Sequence, residues 1–273
     1  MIELSVSVVV YEPDLALLAN AIASLQVACR HASVAAPLAC SLDIVNNRPG
    51  DPHLNEVFAL AQSCSRDGLP TTVIESRTNG GYGAGNNLSI KRHGQVDFHL
   101  VLNPDVLLDE AALTHSLAYM QANPTVGLLT PQVRGFDGEL QRLCKRHPTL
   151  LDMFLRSVPS TAIRRLFRER TLRYEMRDHD YQAVIRPVPY PTGCFMLFRR
   201  STLACIGGFD ERYFLHYEDA DIGRHVDEIS VTAYVPDVVV LHKWSRDSHK
   251  SWRMRWVTIQ SGLRYWRKWG GTF

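Results

Sequence analysis

Three short β-branched runs separated by amphipathic stretches fill the first 75 residues and leave little choice of architecture. Leu4–Val10 is followed by Tyr11-Glu12-Pro13-Asp14, and Asp14 is placed to cap a helix running to about Arg30. Leu15, Leu18, Ile22 and Leu25 would form its buried face. Ser41–Val45 predicts a second strand, ended by the turn Asn46-Asn47-Arg48-Pro49-Gly50. A second helix fits Leu54 to Ala61, and Thr71–Ile74 predicts a third strand. A β-α-β-α-β order builds a parallel sheet with right-handed crossovers. Ligands of such sheets bind beyond the carboxyl ends of the strands, so Tyr11, Glu12, Asn46, Asn47 and Arg77 become site candidates.

TNGGYGAGNNLSI (Thr78–Ile90) follows, with four glycines in six positions. Such a loop brings the backbone close to a partner and tolerates positive φ. A helix starting near Ala84 would aim free N–H groups at an anion. The spacing is neither GxGxxG nor a P-loop, so a plain glycine turn stands beside the phosphate reading. Phe98–Leu102 is an apolar strand broken only by His99, and it runs into Asn103-Pro104-Asp105. A lone carboxylate there suits a hard divalent ion that keeps waters and bridges substrate phosphates; the plainer alternative is a turn or a cap for a helix over Glu110–Met120. Further strands are predicted at Val126–Leu129, Cys194–Phe198, Val231–Val235 and Val238–Leu241, the last delivering His242. His242 reads as a metal or phosphate ligand or as a structural histidine.

YFLHYEDADIGR (Tyr213–Arg224) crowds Glu218, Asp219 and Asp221 into four positions. Carboxylates this close repel when ionised and need a cation or a raised pKa. Aromatic neighbours desolvate them, which suits a general base. The alternative is an acidic first turn of a helix, stabilised by the dipole.

Six cysteines without a CxxC argue against a zinc cluster or disulfide framework and fit a reducing cytoplasm. The amino-terminal stretch lacks a basic leader region, and neither a signal peptide nor a transmembrane helix is expected. Net charge is only +2 but unevenly placed. Gln141–Arg186 holds eleven Lys/Arg against five Asp/Glu, with weak periodicity, and reads as an insertion over the sheet edge. From His242 onward there are eight Lys/Arg against one Asp, together with all five tryptophans. An anionic partner follows: a membrane surface or a phosphorylated substrate rather than nucleic acid. Trp252, Trp256, Ile259, Leu263 and Trp266 recur at helical spacing, with Arg253, Arg255, Arg264, Arg267 and Lys268 off that stripe. Either the stripe packs on the domain, or the helix lies on the cytoplasmic leaflet. A mixed arrangement has Trp252 and Trp256 packing inward while Trp266 and Trp269 dip into lipid.

VVVYEPD, TNGGYGAGNN, LNPDV, PTGCFMLFRR, GGFDERYFLHYEDADIGR and LHKWSRDSHKS, in this order, resemble the family 2 glycosyltransferases with the GT-A fold. The likeness covers nearly the whole chain. It implies an α/β fold with a Rossmann-like, mostly parallel central sheet flanked by helices and followed by acceptor-side elements. Residues 1–273 would form one domain: a nucleotide-sugar half (1–130), an acceptor and catalytic half (131–241) and a basic, Trp-rich end (242–273).

Carried over by motif, Asp219 would be the general base and Glu218 its neighbour on acceptor or donor sugar. Asp105 and His242 would hold Mg²⁺ or Mn²⁺ on the donor diphosphate. Tyr11, Glu12, Asn46, Arg77, Gly81, Gly83, Asn86 and Asn103 would line the donor. Asp221, Lys243, Trp244 and Arg246 would serve acceptor and diphosphate. Asn46 stands where the family usually has Asp, Asn103 replaces the first Asp of a DxD motif, and the first strand ends Val10-Tyr11-Glu12 rather than in a Thr-Tyr-Asn type sequence. The implied reaction is an inverting single displacement. The glycine loop, LQRLCKRHPT (Leu140–Thr149) and SGLRYWRKWG resemble bacterial rhamnosyltransferases that build O-antigen and other surface polysaccharides. That implies dTDP-L-rhamnose as donor, a lipid-linked saccharide acceptor, and a cytoplasmic protein peripheral to the inner face of the membrane. UDP-N-acetylglucosamine and UDP-galactofuranose are the alternative donors, and a non-catalytic nucleotide-sugar-binding module is the rival class.

Overall fold

The computed structural model describes residues 1–157, 161–243 and 252–270. Its centre is a nine-stranded sheet. β1 (Ile2–Val10), β2 (Leu38–Asn46), β3 (Thr71–Glu75) and β4 (Phe98–Leu102) run parallel in the order β3-β2-β1-β4. This is the expected half. Helix α1 (Leu15–Ala35) crosses from β1 to β2, and the Asp14 carboxylate accepts from the Ala16 and Leu17 N–H groups as its cap. It runs on past Arg30. By length and composition α1 could cross a membrane, yet Leu18, Ala21, Ile22, Leu25, Ala28 and Ala32 are buried in the main core of this sheet. Each large apolar side chain so buried contributes about 1.5–3 kcal/mol. α2 (Leu54–Arg66) and α4 (Ala112–Ala122) lie against the same core.

The other half is mixed rather than parallel. β8 (Phe195–Arg199) inserts antiparallel between β4 and β6 (Val126–Arg134), and β6 carries the short antiparallel β7 (Leu140–Gln141). β5 (Val106–Leu108), which the sequence did not announce, pairs antiparallel with β9 (Val231–His242) at the far edge. β9 was expected as two strands. It is one, interrupted where the register with β6 passes from Pro131↔Val235 to Gln132↔Val239. Pro131 and Pro236 both sit at this irregularity, because a proline has no N–H for the ladder.

α3 (Tyr82–Arg92), α8 (Arg200–Ile206) and α9 (Glu218–Ile229) cover the opposite face through Ile90, Leu203, Phe209, Ile222 and Val226. The basic segment Gln141–Arg186 contains three helices, α5 (Leu150–Ser157), α6 (Thr161–Leu166) and α7 (Arg168–Tyr174).

Helix α10 (Trp252–Trp269) turns opposite to the packing expectation. Its buried residues are Ser261, Gly262 and Tyr265, while Trp252 (83% exposed), Trp256 (60%), Ile259 (46%), Leu263 (45%) and Trp266 (37%) face outward. Of the mixed arrangement, Trp266 faces outward as expected, but Trp269 packs inward, and Trp252 and Trp256 do not. Small residues at the contact allow the close approach: a Cβ on Gly262 would sit 3.5 Å from the Tyr217 ring and 3.6 Å from the Met153 sulfur.

Candidate active site

β4 and β8 build the centre of the site. Leu102 pairs with Phe195, so β4 leaves the sheet where β8 begins, and Asn103 N–H donates to the Cys194 carbonyl (2.9 Å). The Asn-Pro-Asp turn and Gly193-Cys194 are thereby held side by side. The Tyr82 hydroxyl is shared between Asn103 Oδ1 (2.8 Å) and the Gly193 carbonyl (2.9 Å). Burial, and then the charge of Glu218, push the Tyr82 phenol well up, so it is a neutral donor. Tyr82 was not among the sequence candidates. Its signal was an aromatic inside a glycine run, which offers no packing reason locally.

The chain enters α9 through His216 and Tyr217, both left-handed (φ 69° and 67°). Side chains in this region are strained, and the strain concentrates just before Glu218 and Asp219. Asp219 is half-buried at the helix N-terminus and accepts from the Ala220 N–H (2.9 Å). It lies against Gly193, where an added Cβ would come within 3.3 Å of the Asp219 carboxylate. Glu218 is buried, its Oε2 has no hydrogen-bond partner, and burial followed by the Asp219 charge raises its pKa well above the usual range. Ionisation of Glu218 beside Asp219 is thereby disfavoured, which limits the charge crowded at this helix start.

At the sheet edge Val106 pairs with His242, which brings Asp105 Oδ2 to 3.5 Å from His242 Nε2. His242 Nδ1 is buried without a partner. Among the described residues no group of three or more His, Cys, Asp or Glu gathers to hold a metal by itself. A carboxylate and an imidazole still fit Mg²⁺ or Mn²⁺ when diphosphate oxygens and waters complete the shell.

Other candidates fall into different roles. Tyr11 is exposed, and Glu12, at φ 51°, pairs with Arg48 (2.9 Å) at the carboxyl ends of β1 and β2. Asn46 is buried and its Oδ1 accepts from the Arg48 N–H. Arg77 and Lys243 are exposed; Trp244 and Arg246 lie outside the described residues.

Gly81 and Gly83 are used within the protein. α3 starts at Tyr82 rather than near Ala84; Gly81 sits at φ 93°, where a Cβ would run into the Phe214 carbonyl, and a Cβ on Gly83 would meet Phe209 at 2.9 Å. The Gly81 N–H donates to Asn79 Oδ1 and the Tyr82 N–H to Phe214 O, so these two donors are already occupied. Asn47, set aside in favour of Asn46, holds the loop through Asn79 and the Gly81 carbonyl. Asn86 is buried between Ser7 and the Tyr82 carbonyl, a structural place rather than a donor contact.

Asp221 is engaged within the protein. It is buried, with Oδ2 bound by Lys268 (2.8 Å) and Oδ1 by Trp269 Nε1 (2.7 Å) and the Tyr213 hydroxyl (3.2 Å). Lys268, placed by the sequence among lipid-facing cations, is thus turned inward and also meets Asp210 (2.9 Å). A carboxylate with three donors at hand has little left for substrate.

No family model matches the sequence. The chain is 28% identical over 236 residues to an N-acetylglucosaminyl-diphospho-decaprenol L-rhamnosyltransferase of Mycobacterium tuberculosis, covering 72% of this chain and 74% of that protein. It is 25% identical over 201 residues to rhamnosyltransferase WbbL of Escherichia coli, covering 68% and 69%. Among solved structures it is similar to S. aureus TarS 1-349 in complex with UDP-GlcNAc (TM-score 0.61, 16% identity, 100% of this chain and 68% of that one). It is also similar to the mannosyltransferase PcManGT from Pyrobaculum calidifontis in complex with GDP-Man and Mn²⁺ (TM-score 0.64, 17% identity, 97% and 63%). The fold is GT-A.

Proposed function

We propose that this chain, a glycosyltransferase of the GT-A fold, moves L-rhamnose from dTDP-L-rhamnose to a lipid-linked saccharide with inversion at the anomeric carbon. The observation that carries the reading is the tie of Asn103, in the Asn-Pro-Asp turn, to Gly193 through the Tyr82 hydroxyl, with Asp219 lying against Gly193. The acceptor hydroxyl loses its proton to Asp219 as its oxygen bonds to the anomeric carbon. The bond from that carbon to the diphosphate oxygen breaks, and the nucleoside diphosphate leaves with the electron pair. The transition state is oxocarbenium-like, as in glycoside hydrolysis. Asp105 and His242 would hold a divalent ion, which when bound neutralises charge on the leaving diphosphate. Glu218, whose burial disfavours ionisation, would contact a sugar oxygen while Asp219 takes the proton. The rhamnosyl donor is supported by both rhamnosyltransferase relatives, and the lipid-linked acceptor by the Mycobacterium tuberculosis one. An acceptor carried on lipid is met at a membrane surface, the cytoplasmic leaflet in this reading.

Asp219→Asn tests the proposal. Loss of a general base costs on the order of 10²–10⁴ in rate. Transfer should fall by that factor while dTDP-L-rhamnose still binds, as read by calorimetry. Turnover close to wild type would move the base elsewhere. The similarity to TarS in complex with UDP-GlcNAc favours one second reading, UDP-GlcNAc as donor. A thermal-shift panel of nucleotide sugars with and without Mn²⁺ separates the two.

A further inference from the structure

The outward face of α10 is an apolar stripe of Trp252, Trp256, Ile259, Leu263 and Trp266 on a helix without a single acidic residue. Arg253, Arg255 and Arg267 beside it are exposed, and Arg264 is half-buried. α5 supplies Met153 to the contact under Gly262 and leaves Leu150 and Phe154 exposed. Continuous apolar exposure of this kind marks an interaction surface, and its cationic flanks match an anionic one.

The inward face meets the catalytic segment, beside Met153 of α5, His147 and the Arg224 and His225 side chains of α9. Ser261 Oγ donates to the Leu215 carbonyl (2.9 Å), and the Tyr265 ring lies 5.8 Å from that of Tyr217. Lys268 and Trp269 grip Asp221, and Lys268 reaches Asp210 as well. These contacts bracket Glu218 and Asp219 in sequence on both sides, and they include Tyr217 in its left-handed conformation.

We propose that α10 docks on an anionic lipid leaflet through its outer face, and that docking braces the segment Asp210–Asp221 through the inner face. Lys268 and Trp269 are then positioning residues that act on Asp219 through Asp221. The stake for turnover rests on the glycosyltransferase reading above; the docking and the bracing do not.

The experiment therefore uses no sugar donor. The full chain is mixed at low salt with phosphatidylglycerol–phosphatidylcholine vesicles or with pure phosphatidylcholine vesicles. Co-sedimentation and amide hydrogen exchange over residues 207–223 are read together. Wild-type protein should sediment with the anionic vesicles only, should be released as salt rises, and should exchange several-fold more slowly in that segment when bound. Trp252→Ser with Trp256→Ser and Leu263→Ser changes exposed side chains, so the fold is kept and sedimentation and slowing are lost together. Trp269→Phe, and separately Lys268→Gln, should still sediment but show faster exchange at residues 207–223 that vesicles do not restore. Wild-type protein left in the supernatant, sedimenting equally with uncharged vesicles, or self-associating through the stripe overturns the lipid surface. Sedimentation with unchanged exchange overturns the bracing. Because neither readout involves transfer, an inactive Asp219→Asn or a wrong donor leaves this test intact.

Discussion

Replacing Tyr82 by Phe removes one oxygen from the place where the donor and acceptor sides meet. Two acceptors, Asn103 Oδ1 and the Gly193 carbonyl, lose the donor they share at 2.8 and 2.9 Å. Each such hydrogen bond contributes about 0.5–1.5 kcal/mol net, and two are lost at half-buried acceptors. The stability loss is then about 1–3 kcal/mol, which for a chain this long lowers the Tm by about 2–6 °C. The Phe ring keeps the edge-on contact with Phe209 (6.4 Å between centroids), so packing loss does not add to the figure. The larger effect is kinetic. The ladder and the Asn103 N–H bond to the Cys194 carbonyl remain, but the Asn103 side chain and the Gly193 carbonyl lose their tie, and a misplacement of about 1 Å at reacting groups costs up to about 10²-fold. Release of dTDP from dTDP-L-rhamnose, followed with a soluble acceptor analogue, should show kcat reduced about tenfold or more. The pH profile should keep its wild-type shape, since the phenol carries no proton in the reaction. A Tyr82→Phe protein with wild-type kcat and an unshifted Tm would refute the account of Tyr82 as the tie between the two sides.

Three other outcomes are expected. Asp105→Ala should abolish the stabilisation that Mn²⁺ adds to bound dTDP in thermal shift; a response equal to wild type would place the ion elsewhere. Gly81→Ala forces a side chain into a glycine-only conformation and against the Phe214 carbonyl, costing about 1–3 kcal/mol or more in a urea titration, and an unchanged midpoint would contradict the geometry. Asp227, raised to about 7 by burial beside Thr232 and His147, carries stability that is fully present below the carboxylate's unfolded pKa and is lost as pH rises through about 7. Asp227→Asn should therefore flatten the decline in Tm between about pH 4 and 7, and parallel wild-type and variant curves would show that the group is not desolvated as described.

The parallel half was legible because its signals are local: β-branched runs, Asp14 at a cap, and a turn after Asn46. β5 was not, since Val106–Leu108 is too short for periodicity and is a strand only because β9 pairs with it. The carboxylates of α9 and the Asp105–His242 pair were visible as motifs, and the structure brings the pair together. What the motifs could not say is which carboxylate is already taken. Asp221 stands within the same acidic run as Asp219, and the tertiary contacts distinguish them, through Lys268 and Trp269 of α10 and the Tyr213 hydroxyl. The glycine loop misled for a related reason. A close backbone approach can be to a ligand or to the protein, and at Gly81 it is to Phe214. The α10 stripe was legible as a stripe, but helical spacing does not tell which face the domain covers.

The antiparallel seat of β8 beside β4 bears on how this enzyme can adapt. The strand that ends at Asn103 and the strand that begins after Cys194 share one ladder, with Leu102 facing Phe195. The ladder therefore fixes the spacing between Asn103 and Cys194 directly. A shift of register is no way to change it, because moving β8 by one residue would turn Phe195, Leu197 and Arg199 to the opposite face. Room for a bulkier acceptor has to come from the connections above the sheet edge, chiefly the helical segment between β7 and β8. Relatives with different acceptors should therefore differ in length there and keep the spacing between Asp105 and Gly193 unaltered.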